Sequence, residues 1–99
     1  MVIWFIGKSA AGKTFLGRKL YDRLRENYPN IIFLDGDLLR NAISKDLGHS
    51  KEDRYISEER RSNLSKILSD QGINVIMSGI SNEPEIREWN KKNIKDYLE

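Results

Sequence analysis

Five apolar residues, Val2 to Ile6 (VIWFI), run directly into Gly7–Thr14 (GKSAAGKT). No other stretch constrains the fold as much. A continuous apolar run of this length fits a strand covered on both faces better than a half-solvated one. Lys13 to Asn27 then carries Leu16, Leu20 and Leu24 at helical spacing, so the octapeptide is a strand-to-helix turn. Its pattern is G-x-x-x-x-G-K-[ST]. Gly7 and Gly12 let the backbone turn without a Cβ, and several N–H groups then converge on one anion. Lys13 reaches the β and γ phosphates of a nucleotide, the Thr14 hydroxyl ligates Mg²⁺, and the helix start adds its positive dipole end. A turn that bound nothing would have no use for the Gly-Lys-Thr ending. Gly7, Lys8, Ser9, Ala10, Ala11, Gly12, Lys13 and Thr14 are the expected ATP-binding loop.

The rest of the chain alternates in the same way. Ile31–Leu34 (IIFL) is a second buried strand, and a short helix follows from about Asp37 to Lys45. Ser50 with Asp53 three residues on forms a capping box for a long helix bearing Ile56, Leu64, Ile67 and Leu68, which stops at Gly72. Asn74–Ile80 (NVIMSGI) is the third strand. Pro84 opens a last helix with Ile86, Trp89, Ile94 and Tyr97 along one side. The order β-α-β-α-α-β-α implies a parallel sheet with right-handed crossovers and ligands beyond the carboxyl ends of its strands. Gly7–Thr14, Asp35–Arg40 and Ser78–Asn82 meet that condition.

Composition narrows the classes. Ninety-nine residues allow one small domain, and a net charge of +2 is too small to argue for nucleic acid or a membrane surface. Charges of both signs alternate along the helices and read as solvated faces. There is no cysteine, which removes thiol nucleophiles, disulfides and Cys-based zinc sites. The N-terminal apolar run is too short for a signal peptide or a membrane span, so a cytoplasmic setting is expected.

Strand two ends in Asp35-Gly36-Asp37, followed by Arg40. Both carboxylates reach one cleft if Gly36 turns the backbone; there they hold Mg²⁺ through water or accept a proton from an attacking hydroxyl. The alternative is a β-turn in which Asp37 caps the next helix. Strand three ends in Ser78-Gly79 without an acid, so these two aspartates are the candidates for the metal-side carboxylate.

The loop GKSAAGKT, then LDGD…R, then DLG.S.EDR (Asp46 to Arg54), then GI.VI.S.IS together resemble the adenylylsulfate kinases, collinearly over nearly the whole chain. The resemblance implies a three-layer P-loop kinase fold of α/β class, of which these residues supply three strands in the order 2-3-1. It also implies transfer of the ATP γ-phosphoryl group to the 3′-hydroxyl of adenylyl sulfate. Lys13, Asp35, Asp37 and Ser81 would be catalytic, and Thr14 and Asp35 would serve Mg²⁺. Asp37, Arg40, His49, Arg54, Ser57 and Ile80 would meet the acceptor nucleotide. Ser81 would either carry the phosphoryl group or only position it; in-line attack by the hydroxyl needs no covalent relay.

Departures cluster on the acceptor side. Leu38 stands where the family has asparagine, His49 where it has a base-stacking aromatic, and Ser57 where it has asparagine. Glu59 replaces an arginine, and Asn82 a proline. A different nucleotide with a free 3′-hydroxyl is therefore the runner-up acceptor, and a truncated nucleotide-binding module without turnover is the alternative to an enzyme. The family's domain also continues with further strands, a lid and an adenine loop. These 99 residues thus read as the N-terminal part of one kinase domain, whose first strand would become an exposed sheet edge. Either the rest of a longer kinase or a second copy in a homodimer would cover that edge.

Overall fold

A computed structural model describes residues 1–6, 10–79 and 83–99, and of residues 10–14 the backbone. The elements are β1 (Val2–Phe5), α1 (Ala10–Leu24), β2 (Ile31–Asp35), α2 (Gly36–Ile43), α3 (Lys51–Asp70), β3 (Asn74–Ser78), α4 (Pro84–Asn93) and β4 (Tyr97–Leu98). They build an α/β fold around a parallel sheet of four strands in the order β2-β3-β1-β4.

The expected 2-3-1 order is present, and β4 extends it. β1 is therefore not the edge strand expected from the sequence. Val2 and Ile3 face Tyr97 and Leu98 across a parallel ladder. Asp96 makes this possible by adopting a left-handed backbone, φ 55°, and its carbonyl accepts the Val2 amide at 3.1 Å. The last helix is correspondingly shorter than the apolar spacing suggests. It ends at Asn93, Ile94 is its extended C-cap, and Tyr97 lies in β4 rather than on the helix.

Alternation along the strands sorts the core into two faces. Val2, Trp4, Val75 and Met77 are completely or almost completely buried on one face, with Leu39 and Ile94, and Leu64, Leu68 and Trp89 pack against them. Ile76 and Phe33 point to the other face and meet α1 at Gly17, where a Cβ would stand 3.0 Å from the Phe33 ring. Gly17 is thus a close-approach residue. It shifts the packed stripe of α1 onto Gly17, Leu20 and Tyr21, leaving Leu16, an expected core position, 54% exposed.

The buried stripe of α3 is polar. Glu58, Arg61, Ser62 and Ser65 are buried, whereas Ile67, read as core from its helical spacing, is 55% exposed. The helix begins as expected: Ser50 Oγ accepts the Asp53 amide at 3.1 Å. The Asp53 carboxylate turns instead to the Gly48 amide at 2.8 Å and closes the preceding turn. Gly72 follows the helix with φ 84°, a left-handed position suited to glycine.

Candidate functional site

The strand register assembles the site. Ser78 lies opposite both Phe5 of β1 and Asp35 of β2. The carboxyl ends of three adjacent strands therefore finish in one row, with Ser78 between Phe5 and Asp35. In a parallel sheet this row is where a ligand crevice opens.

Beyond it lies a cleft of about 90 Å³ lined by Gly36, Asp37, Arg40, Arg54, Ser57, Arg61 and Gly79. A single water needs roughly 10–15 Å³ of such space, so an oxyanion group fits. Sequence reasoning had marked Asp37, Arg40, Arg54 and Ser57 as acceptor residues, and the fold brings all four into one cleft. Asp37 and Arg40 come from the first turns of α2. Arg54, Ser57 and Arg61 come from one stripe of α3, at positions i, i+3 and i+7.

The two aspartates part company. Asp35 is the N-cap of α2, its Oδ1 accepting the Asp37 amide at 3.0 Å. The turn reading assigned the cap to Asp37; the structure assigns it to Asp35 and leaves the Asp37 carboxylate in the cleft. This follows from geometry: the residue before the helix has the extended backbone a cap requires, here φ −85° and ψ 130°.

Arg40 spans the cleft wall and the following loop. Its Nη2 donates to the carbonyls of Gly48 at 2.8 Å and Leu47 at 3.3 Å and meets His49 Nε2 at 3.3 Å. His49 is exposed and touches the cleft through Arg40. The neighbouring Arg60 forks onto Asp46 at 2.7 and 3.0 Å and donates to the Ile43 carbonyl at 2.8 Å, tying the end of α2 to α3. Hydrogen bonding from Arg60 holds the Asp46 carboxyl below its ordinary range.

Sequence reasoning missed Arg61. Its side chain is 7% exposed and sits 4.0 Å from Glu58, itself 5% exposed. The guanidinium carbon lies 5.8 Å from the centre of the Trp4 ring. A Cβ on Gly36 would stand 2.9 Å from Arg61 Nη1, and one on Gly79 would collide with it outright. Burial pulls the Arg61 guanidinium below its ordinary pKa, while the charges of Glu58 and Asp37 oppose that pull. The available signal was the spacing of Glu58, Arg61, Ser62 and Ser65, which is helical but polar, and polar periodicity reads as a solvated face.

Gly7, Lys8, Ser9, Ile80 and Ser81, with the side chains of Ala10, Ala11, Lys13 and Thr14, lie outside the described residues. Among the described residues no group of three or more His, Cys, Asp or Glu side chains is arranged to hold a metal. No described helix is long and apolar enough to cross a membrane.

Comparison with known proteins agrees with this architecture. The family model for adenylylsulphate kinase matches residues 1–99. The cytidine diphosphoramidate kinase of Campylobacter jejuni is 38% identical over 98 residues, which are 99% of this chain and 57% of that protein. The adenylyl-sulfate kinase of a Picosynechococcus strain is 39% identical over 99 residues, 100% of this chain and 56% of that one. A Mycobacterium tuberculosis APS kinase solved with AMPPNP and APS superposes with a TM-score of 0.76 at 32% identity, covering 92% of this chain and 53% of that one. The chain thus spans about half the length of the curated relatives it matches. Its sequence and its fold place it in the adenylylsulphate kinase family.

Proposed function

We propose that these 99 residues are the N-terminal part of one kinase domain, which moves the γ-phosphoryl group of ATP to the 3′-hydroxyl of a nucleotide such as adenylyl sulfate. The observation that carries this reading is the cleft itself. A carboxylate, Asp37, and two arginines, Arg40 and Arg54, converge at the carboxyl ends of β2 and β3, in the row where β1 also ends. Phosphoryl transfer requires little more from a protein than alignment and charge stabilisation.

In this reading Gly7–Thr14 cradle the ATP phosphates with their amides and Lys13 balances their charge. Arg40 and Arg54 orient the acceptor by its oxyanions, since a guanidinium fork matches phosphate and sulfate oxygens. Asp37 accepts the proton released as the 3′-hydroxyl attacks, and Ser81 and Ile80 flank the transferred group. His49, Ser57 and the Arg40-braced turn shape the nucleoside end. The chemistry of the donors suits Mg²⁺: Thr14 supplies a hydroxyl, and Asp35 keeps one carboxylate oxygen beside the one that accepts the Asp37 amide. When bound, the ion would neutralise charge on the β and γ phosphates. Use of ATP fits a cytoplasmic protein.

A second reading differs only in acceptor. The replacements at Leu38, His49, Ser57, Glu59 and Asn82 gather on the acceptor side, and a relative of 38% identity is a cytidine diphosphoramidate kinase. A cytidine nucleotide is therefore the alternative substrate.

Coupled assays of ADP release with adenylyl sulfate and with cytidine diphosphoramidate test both. They are run on this chain and on a version extended to the length of its relatives. Acceptor-dependent ADP release that disappears in Lys13→Ala is expected. Binding of ATP with no release on either acceptor, in either version, rules the kinase reading out.

A further inference from the structure

The geometry points to Arg61 as a specificity-determining residue of the cleft, one that selects acceptors bearing two linked oxyanions over those bearing one. The inference rests on the kinase reading above and adds the residue that meets the acceptor's second oxyanion.

Arg54, Ser57 and Arg61 form a ladder down one stripe of α3. Their spacing, i to i+7, covers about 10 Å along the helix axis at roughly 1.5 Å per residue. Arg54 is exposed at the mouth, Ser57 is half-buried, and Arg61 is buried at the floor. The ladder therefore presents a cation at the mouth, a hydroxyl midway and a second cation at the floor. Arg40, the other arginine lining the cleft, already donates Nη2 to the carbonyls of Leu47 and Gly48.

Arg61 is also held in place. Gly36 and Gly79 leave room for its Nη1 where any side chain would intrude, and the Trp4 ring lies beside it. Burying a guanidinium in a core is costly, and an apolar residue at this position would pack against Trp4 without that cost. Glu58 partly compensates the charge from below. A pre-set cation on the floor of an oxyanion-sized cleft gives an incoming anion a fixed partner whose reorganisation is already complete. A nucleoside monophosphate engaging Arg54 leaves the floor unmet. A phosphosulfate, diphosphate or phosphoramidate extends a second oxyanion to it.

Titration calorimetry on the protein extended to the length of its relatives tests this with two matched pairs: adenylyl sulfate against adenosine monophosphate, and cytidine diphosphate against cytidine monophosphate. Each pair holds the base constant. The wild type is expected to prefer the two-anion member of at least one pair by tenfold or more. In Arg61→Met combined with Glu58→Leu, which removes the buried pair together, that preference should fall to within twofold while ATP affinity changes less than twofold. Arg61→Lys, which keeps the charge and serves if the double variant does not fold, should retain part of it. A double variant that melts like the wild type yet keeps the full preference overturns the proposal and leaves the kinase reading intact. ATP binding by the wild type without binding of any of the four acceptors overturns both.

Discussion

Arg61 and Gly79 are interdependent: the space that a side chain at Gly79 would need is occupied by the Nη1 of Arg61. Gly79 also holds φ 154°, a backbone conformation that residues with a Cβ rarely adopt. The end of β3 is therefore shaped around a charged group that arrives from a different element.

Gly79→Ala tests this coupling. The backbone conformation and the collision together should cost about 1–3 kcal/mol of stability. Combining it with Arg61→Met removes the collision and leaves the backbone cost, so part of the loss should be recovered. Urea denaturation of both single variants and the double variant checks it, and strict additivity would show that the two residues do not interact.

Glu58→Ala should be among the most damaging single changes. It leaves the buried Arg61 guanidinium without its 4.0 Å acidic neighbour, and removing one member of a buried pair costs about 3–5 kcal/mol. Glu58→Leu with Arg61→Met should come within about 1 kcal/mol of wild type or exceed it, because two apolar side chains replace two desolvated charges. Chemical denaturation midpoints decide between the two outcomes.

The turn before α3 predicts a graded response. Ser50→Ala loses the cap on the Asp53 amide and should cost about 1 kcal/mol. Asp53→Ala releases the Gly48 amide and loosens the turn whose carbonyls hold Arg40. It should therefore weaken acceptor binding more than Ser50→Ala does at comparable stability. Calorimetry with adenylyl sulfate, alongside melting curves, separates these effects.

Acid sensitivity follows from Glu99. Burial alone would raise its carboxyl, but hydrogen bonds from Arg87, Tyr97 and Lys91 outweigh burial and leave it below the ordinary carboxylate range. Arg87 Nη2 and Lys91 Nζ each approach at 3.1 Å and the Tyr97 hydroxyl at 2.9 Å. A carboxyl depressed in the folded state contributes fully above its unfolded value and loses that contribution as pH falls through the folded one. Glu99→Gln should therefore destabilise the chain near neutral pH and match wild type at the acid end. Stability measured against pH in both proteins gives the test, and a constant difference across the range would remove Glu99 from the account.

Much of the fold was legible because it rests on local periodicity. Strands form within the apolar runs VIWFI, IIFL and NVIMSGI, over Val2–Phe5, Ile31–Asp35 and Asn74–Ser78, and Ser50, Gly72 and Pro84 punctuate helices as expected. Asp37, Arg40, Arg54 and Ser57 could be marked through the family pattern, and parallel strand order carried them to one end of the sheet. β4 was not legible: its two residues pair only because Asp96 turns the chain back beside β1. The cap at Asp35 was not legible either: the turn reading places it at Asp37, and the extended backbone at Asp35 decides otherwise.

By itself, the sequence determined the alternation of strands and helices and the helix starts at Ser50 and Pro84. These depend on residues within a few positions of one another, where side-chain spacing and backbone preference act directly. Only the tertiary structure decided that the inward stripe of α3 would be Glu58, Arg61, Ser62 and Ser65, and that two glycines from separate strand ends would make room for a guanidinium. Burying a charge is favourable only when partners from distant parts of the chain surround it, and such partners are set by packing rather than by local spacing.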